Sequence, residues 1–180
     1  MNLKNKSEIV IIGGGIAGSS LAYHLAKLNK TEVTLLERHQ LTSGTTWHAA
    51  GLIMQLRSTH TFTELAKYNV ELYSTLESET GVSTGFKQNG TLGVARTKDR
   101  MYENHTIASI AKSFNIEAEI ISSSEAQKIY PSLNKKCIEG AIYIPKDGQT
   151  NPVDTTMSLV AGAKQLGVSV HENTEVIDVK

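Results

Sequence analysis

The sequence predicts an α/β fold that opens on a parallel strand–helix–strand unit. Three observations predict it. A β-branched apolar run, Ile9 to Ile12, leads straight into three glycines. Ile16, Leu21, Leu25 and Leu28 then recur at helical spacing. A second apolar run, Thr31 to Leu36, closes the unit within about 30 residues, the span of a right-handed parallel crossover.

The first run is wholly apolar, the pattern of a parallel strand covered on both faces. Beyond Glu37 lies a stretch of small residues with no steady apolar period, Leu41 to Gly51. An amphipathic helix is expected from about His60 to Glu79, with Leu65, Tyr68, Leu72 and Leu76 on one side and Gly81 and Gly85 as its stop. Thr91 to Ala95 alternates like a strand, and Asp99 to Phe114 returns to helical spacing. A strand near Ala118 to Ile121 precedes a small helix capped by Ser124 and ended at Pro131. Gly140 to Ile144 reads as a strand, Asp147-Gly148 as a turn, and Asn151-Pro152 as the cap and first residue of another helix. Val168 to Val170 and Glu175 to Val179 are strand-like. The chain stops inside that last pattern, so truncation is expected.

Composition narrows the function classes. The 180 residues carry 18 basic and 18 acidic side chains, a formal charge of zero, which argues against a nucleic-acid groove. The longest aliphatic run, Ile9 to Ile12, is too short to cross a bilayer. A lone Cys137 forms no internal disulfide and has no His or Cys near it in sequence, so no metal site is expected. The strand pattern starts at about residue 8, leaving no room for a leader. A bacterial-type cytoplasm is therefore favoured, with a mitochondrial matrix as the alternative for a processed form. Glycosylation tripeptides at Asn89 and Asn104 read as chance matches.

Gly13-Gly-Gly15-Ile16-Ala17-Gly18 is the dinucleotide pattern G-x-G-x-x-G, placed between a strand and a helix as the motif requires. Gly13 permits the tight turn, Gly15 lets a pyrophosphate approach the helix N-terminus, and Gly18 lets helix and sheet pack closely. Glu37 follows at the end of the second strand, where a carboxylate accepts hydrogen bonds from ribose hydroxyls, and Arg38 is a candidate for the adenosine half. The unit is read as binding an adenine dinucleotide; the pattern does not choose between FAD and NAD.

Leu41-Thr-Ser-Gly-Thr-Thr-Trp-His-Ala-Ala-Gly51 resembles the stretch after the second strand in the sarcosine and dimethylglycine dehydrogenase family, FAD-dependent amine oxidoreductases of the D-amino-acid-oxidase type. Thr84 to Leu92, Ala126 to Leu133, Tyr143 to Gly148 and Asn151-Pro152 carry the resemblance along the chain, nearer to sarcosine dehydrogenase. The resemblance implies a Rossmann-like FAD-binding βαβ unit with the start of a mixed-sheet substrate domain. It divides the chain at 1–80 (FAD-binding unit and flavin-attachment segment), 81–146 (part of the substrate domain) and 147–180 (return to the FAD domain). It implies that His48 carries FAD covalently, through a ring nitrogen bonded to the flavin 8α-methyl. Ser43, Gly44, Thr45, Thr46, Trp47, Ala50 and Gly51 would lie along the cofactor with Ile16 and Ala17, and Val176 would meet the adenine.

The implied reaction is hydride transfer from an N-methyl amine to flavin. The resulting iminium is hydrolysed to formaldehyde, or captured by tetrahydrofolate where a folate-binding region follows. The electron acceptor, an electron-transfer flavoprotein or oxygen, is left open, and the residues that grip the amine are expected beyond Lys180. Arg57 is a weaker candidate for steering a carboxylate substrate. Two other readings stand beside this one: a non-enzymatic regulatory or binding subunit on the same fold, and an inactive incomplete gene product.

Overall fold

A computed structural model describes residues 6–30 and 32–179. The chain forms two compact units. One comprises residues 1–51, 72–86 and 150–180, and the other residues 52–71 and 87–149. These boundaries differ from those read off the sequence, at 80 and 146. The long helix α2 (His60–Thr80) gives its first half to the second unit and its second half to the first.

The first unit is built on strands β1 (Ile9–Ile12) and β2 (Val33–Leu36) joined by helix α1 (Ile16–Lys27). Strand β8 (Ser169–His171), which follows helix α5 (Pro152–Gln165), completes a parallel sheet of order β1-β2-β8. Thr31, expected to start the second strand, lies outside the described residues. Ile11, Val33 and Leu35 face a core shared with Tyr23, Leu72, Leu76 and Leu159. Asn151 caps α5 through its side-chain oxygen, which accepts the Val153 N–H at 3.0 Å, and Pro152 stands at the first helical position where no N–H is needed.

On the face of this sheet that carries Val10 and Ile12, Thr34 is buried but β1 is open among the described residues. Val10 is 52% and Ile12 61% exposed, against the expectation of cover on both faces. Among the described residues, α1, α5 and the end of α2 all pack on the other side. Residues 175–179 form no strand either: Ile177 and Val179 are exposed and have no ladder partner among the described residues.

The second unit is centred on an antiparallel sheet of order β4-β6-β5, from β4 (Thr91–Ala95), β5 (Glu119–Ser122) and β6 (Gly140–Ile144). Alternation along β6 sends Ile142 and Ile144 towards helix α3 (Lys98–Ser113), with Ala111 and Ile116. Ala141 and Tyr143 point the other way, towards helix α4 (Ser123–Ile129) and Ala126. The cap of α4 is Ser122, not Ser124: its hydroxyl accepts the Glu125 N–H while the Glu125 carboxylate accepts the Ser122 N–H, a reciprocal capping box. Two-residue strands β3 (Leu52–Ile53) and β7 (Gly148–Gln149) pair antiparallel, where the sequence suggested only a turn. Asn104 is fully buried, which bars it as a glycosylation site. No helix among the described residues is long and apolar enough to cross a membrane.

Candidate functional site

The glycine turn is set by backbone geometry. Gly13 adopts φ +106°, the left-handed region that side chains avoid, and donates its N–H to Leu36 O at 2.8 Å. A Cβ on Gly18 would lie 2.0 Å from Gly13 O, so only glycine lets α1 sit this close to the turn. Gly15 is the N-cap of α1 and supplies no capping side chain. The cap comes from elsewhere: Thr46 Oγ1 accepts the Ile16 N–H at 3.0 Å. Ala17 is exposed on the first turn of the helix, and Ile16 is half-buried.

Glu37 stands opposite this turn. Its Oε2 accepts the Gly14 N–H at 2.7 Å and its Oε1 the His39 N–H at 2.9 Å. Partial burial pushes its carboxyl up, but the His39 and Gly14 donors, with the charges of His39 and Arg38, outweigh it and hold the group below the usual carboxylate range. An ionised carboxylate offers about four acceptor positions, so two remain for hydroxyls.

The segment carrying the candidate flavin residues is tied to the same turn. Thr42, itself left-handed at φ +70°, donates its N–H to Gly14 O at 3.1 Å. Leu41 N–H donates to Glu172 Oε1 at 2.7 Å. Thr46–His48 then form a single 3₁₀ turn, with Thr46 buried and Trp47 57% exposed. The Trp47 and His48 rings stack at a tilt, centroids 3.7 Å apart. Ser43, Gly44, Thr45, His48 and Ala50 are exposed, and Gly51 turns the chain at φ +71°.

At the C-terminal ends of the parallel strands lies a cleft of about 300 Å³. It brings together Gly13, Glu37, Arg38 and Val176, with Ile12 and Thr174 beside them. Three backbone bonds hold its wall: Glu37 N to His171 O, Thr174 N to Glu37 O and Asn173 N to His39 O, each 2.8 Å. The residues from Ser43 to Gly51 do not line this cleft. Glu172 and Thr174 were missed by sequence reasoning; Leu41 and Glu172 are 131 residues apart, and nothing local marks that pairing. Arg57 belongs to the second unit, with its N–H donated to Thr63 Oγ1 at 3.2 Å.

These residues fit an adenine dinucleotide. Open space surrounds the Cβ positions of Gly13 and Gly44, the cleft sits where nucleotides meet parallel sheets, and a charged carboxylate faces the turn.

Comparisons with known proteins agree with this geometry. Human mitochondrial sarcosine dehydrogenase is 39% identical over 99% of this chain and 20% of its own length. Rat mitochondrial dimethylglycine dehydrogenase is 38% identical over 98% of this chain and 21% of its own. The mouse mitochondrial pyruvate dehydrogenase phosphatase regulatory subunit is 36% identical, over 98% and 20%. The chain thus spans about a fifth of the length of these relatives. Among solved structures, L-proline dehydrogenase from P. horikoshii superposes with a TM-score of 0.89 at 33% identity, covering 97% of this chain and 46% of its own. Residues 8–180 match the family described as FAD dependent oxidoreductase, and the chain belongs to that family.

Proposed function

We propose that this chain is the flavin-holding part of an amine dehydrogenase or oxidase. In this reading FAD lies with its adenosine half in the cleft beside Glu37, and its substrate is a secondary or tertiary N-methyl amine of the sarcosine or dimethylglycine type. The observation that carries the reading is the placement of His48. It stands exposed on a 3₁₀ turn whose Thr46 caps the helix that opens from the glycine turn.

Each residue then has a defined task. The backbone N–H groups at the start of α1, apart from that of Ile16, which Thr46 holds, face the pyrophosphate from the positive end of the helix. Glu37 takes the ribose hydroxyls on its free acceptor positions, and Arg38 and Val176 border the adenosine. Ser43 to Gly51 run along the cofactor, with a ring nitrogen of His48 bonded to the flavin 8α-methyl. When bound, FAD supplies the hydride acceptor for the N-methyl carbon, and water hydrolyses the resulting iminium to formaldehyde.

The first compact unit serves as the FAD-binding part and the second as part of a substrate domain. Reoxidation by an electron-transfer flavoprotein or by oxygen, and any capture of the one-carbon unit by tetrahydrofolate, are roles of the whole protein. A cytoplasm or mitochondrial matrix suits the unpaired Cys137.

Anaerobic addition of sarcosine or dimethylglycine to the complete protein is expected to bleach its visible flavin band. Bleaching by neither removes the substrate assignment and leaves the flavin. A second reading is favoured by the regulatory-subunit relative, 36% identical over nearly the whole chain. A regulatory subunit would bind flavin that no amine reduces.

A further inference from the structure

Segment 41–51 is clamped to the rest of the first unit along its length. Leu41 N–H is held by Glu172 Oε1 at 2.7 Å and Thr42 N–H by Gly14 O at 3.1 Å. Thr46 Oγ1 holds the Ile16 N–H at 3.0 Å, and Gly51 O accepts the Thr150 N–H at 2.8 Å. All these partners belong to the first unit. The backbone from which Trp47 and His48 project is therefore fixed, and the freedom left to His48 is rotation of its own side chain.

No hydrogen bond stops that rotation. Neither ring nitrogen of His48 has a hydrogen-bond partner among the described residues. A histidine that does chemistry is commonly oriented through the ring nitrogen that does not react. Here the contact that can orient it is aromatic. The Trp47 and His48 rings lie 3.7 Å apart, centroid to centroid, with 33° between their planes. Trp47 takes no part in the core of the first unit and stays more than half exposed. Its indole packs on the imidazole while contributing little to the fold.

We infer that Trp47 is a positioning residue for flavin attachment: its indole holds the His48 imidazole in one rotamer, so that a ring nitrogen meets the flavin 8α-methyl already oriented. The inference rests on the reading of His48 as the attachment residue. In the attachment His48 gives up its N–H hydrogen and forms a nitrogen–carbon bond, and the methyl carbon gives up one hydrogen. The two hydrogens and two electrons released end on dioxygen as hydrogen peroxide.

The test uses the full protein expressed without flavin and then mixed with FAD in air. Denatured mass over time gives the rate of adduct formation. Non-covalent FAD affinity is read in a His48→Ala background, where no link forms. Trp47→Leu and Trp47→Gln, which remove the ring, should slow the adduct about tenfold. Both should leave the non-covalent affinity within about twofold of the parent. Trp47→Phe keeps an aromatic face and should recover most of the rate.

An unaltered protein that forms no adduct overturns attachment through His48 and this inference with it. An adduct that either folded non-aromatic variant forms at the parent rate overturns this inference and leaves the attachment. Trp47→Phe as slow as Trp47→Leu overturns the stack as the cause. A matching loss of non-covalent affinity would make Trp47 a binding residue, and failure of both non-aromatic variants to fold would make it a structural one; either result overturns the positioning role.

Discussion

The Thr46 hydroxyl accepts the Ile16 N–H at 3.0 Å, so the turn that bears Trp47 and His48 doubles as the N-terminal cap of α1. A residue thirty positions downstream replaces the side chain that Gly15 lacks. The glycine turn and the candidate attachment segment are therefore one structural unit.

Replacing Thr46 with Val keeps the shape and removes the acceptor. A lost N-terminal cap costs about 1 kcal/mol, and Thr46→Ser should recover most of it. Urea denaturation of the three proteins measures the difference, and the Val variant should also hold less flavin.

Gly18→Ala is expected to be far more damaging. The new methyl would meet Gly13 O at 2.0 Å, a backbone atom that cannot swing away. Overpacking of this kind costs about 1–3 kcal/mol and opens the angle between helix and turn. Loss of soluble protein or a lowered denaturation midpoint is the expected readout. Unchanged stability would show that α1 is not seated as described.

Acid should weaken the first unit through Glu79. Its carboxylate receives Lys27 Nζ at 2.8 Å and the Tyr23 hydroxyl at 2.7 Å, and those two donors hold it down to about 2. The folded value lies below the ordinary 4.5, so this contribution is complete above that pH and drains away as pH falls towards 2. Glu37, also lowered, adds to the loss in the same direction. Because Glu79 is 36% and Lys27 46% exposed, solvent screening keeps the Glu79 share below about 1 kcal/mol. Glu79→Gln should flatten the stability profile across this acid range and leave its slope above pH 5 unaltered, as thermal melts at stepped pH would record.

Asn151→Ala should loosen the start of α5. The side-chain oxygen accepts the N–H groups of Val153 at 3.0 Å and Asp154 at 3.3 Å. A destabilisation of about 1 kcal/mol is expected, with Asn151→Asp close to neutral. Hydrogen exchange at Val153 and Asp154 should accelerate in the Ala variant and not in the Asp variant.

Where chain neighbours determine structure, the sequence was readable. The crossover unit, α2, β4, β6 and the Asn151-Pro152 helix start all follow from local periodicity and caps. The cap of α4 was readable too, because Ser122 and Glu125 stand in capping-box spacing, but the adjacent Ser124 competed for the role. Strands β3 and β7 escaped because two residues carry no period. Glu175 to Val179 alternates well enough for a strand, yet finds no partner among the described residues, and alternation alone makes no ladder. At the candidate site, the glycines and Glu37 were legible from spacing. The pairings Thr46 with Ile16 and Glu172 with Leu41 were not, because they depend on segments brought together only by the fold. The exposure of Val10 and Ile12 among the described residues was not legible, because an apolar run looks the same whether or not something covers it.

Covalent attachment of the flavin is tested most directly by the denatured intact mass of the natively expressed protein, with a visible spectrum of the same sample. A covalent link through His48 gives a mass increment of one FAD, yellow colour that survives acid precipitation, and loss of both in His48→Ala. A chain without the increment, whose colour washes away in acid or is absent from the start, would contradict covalent attachment through His48.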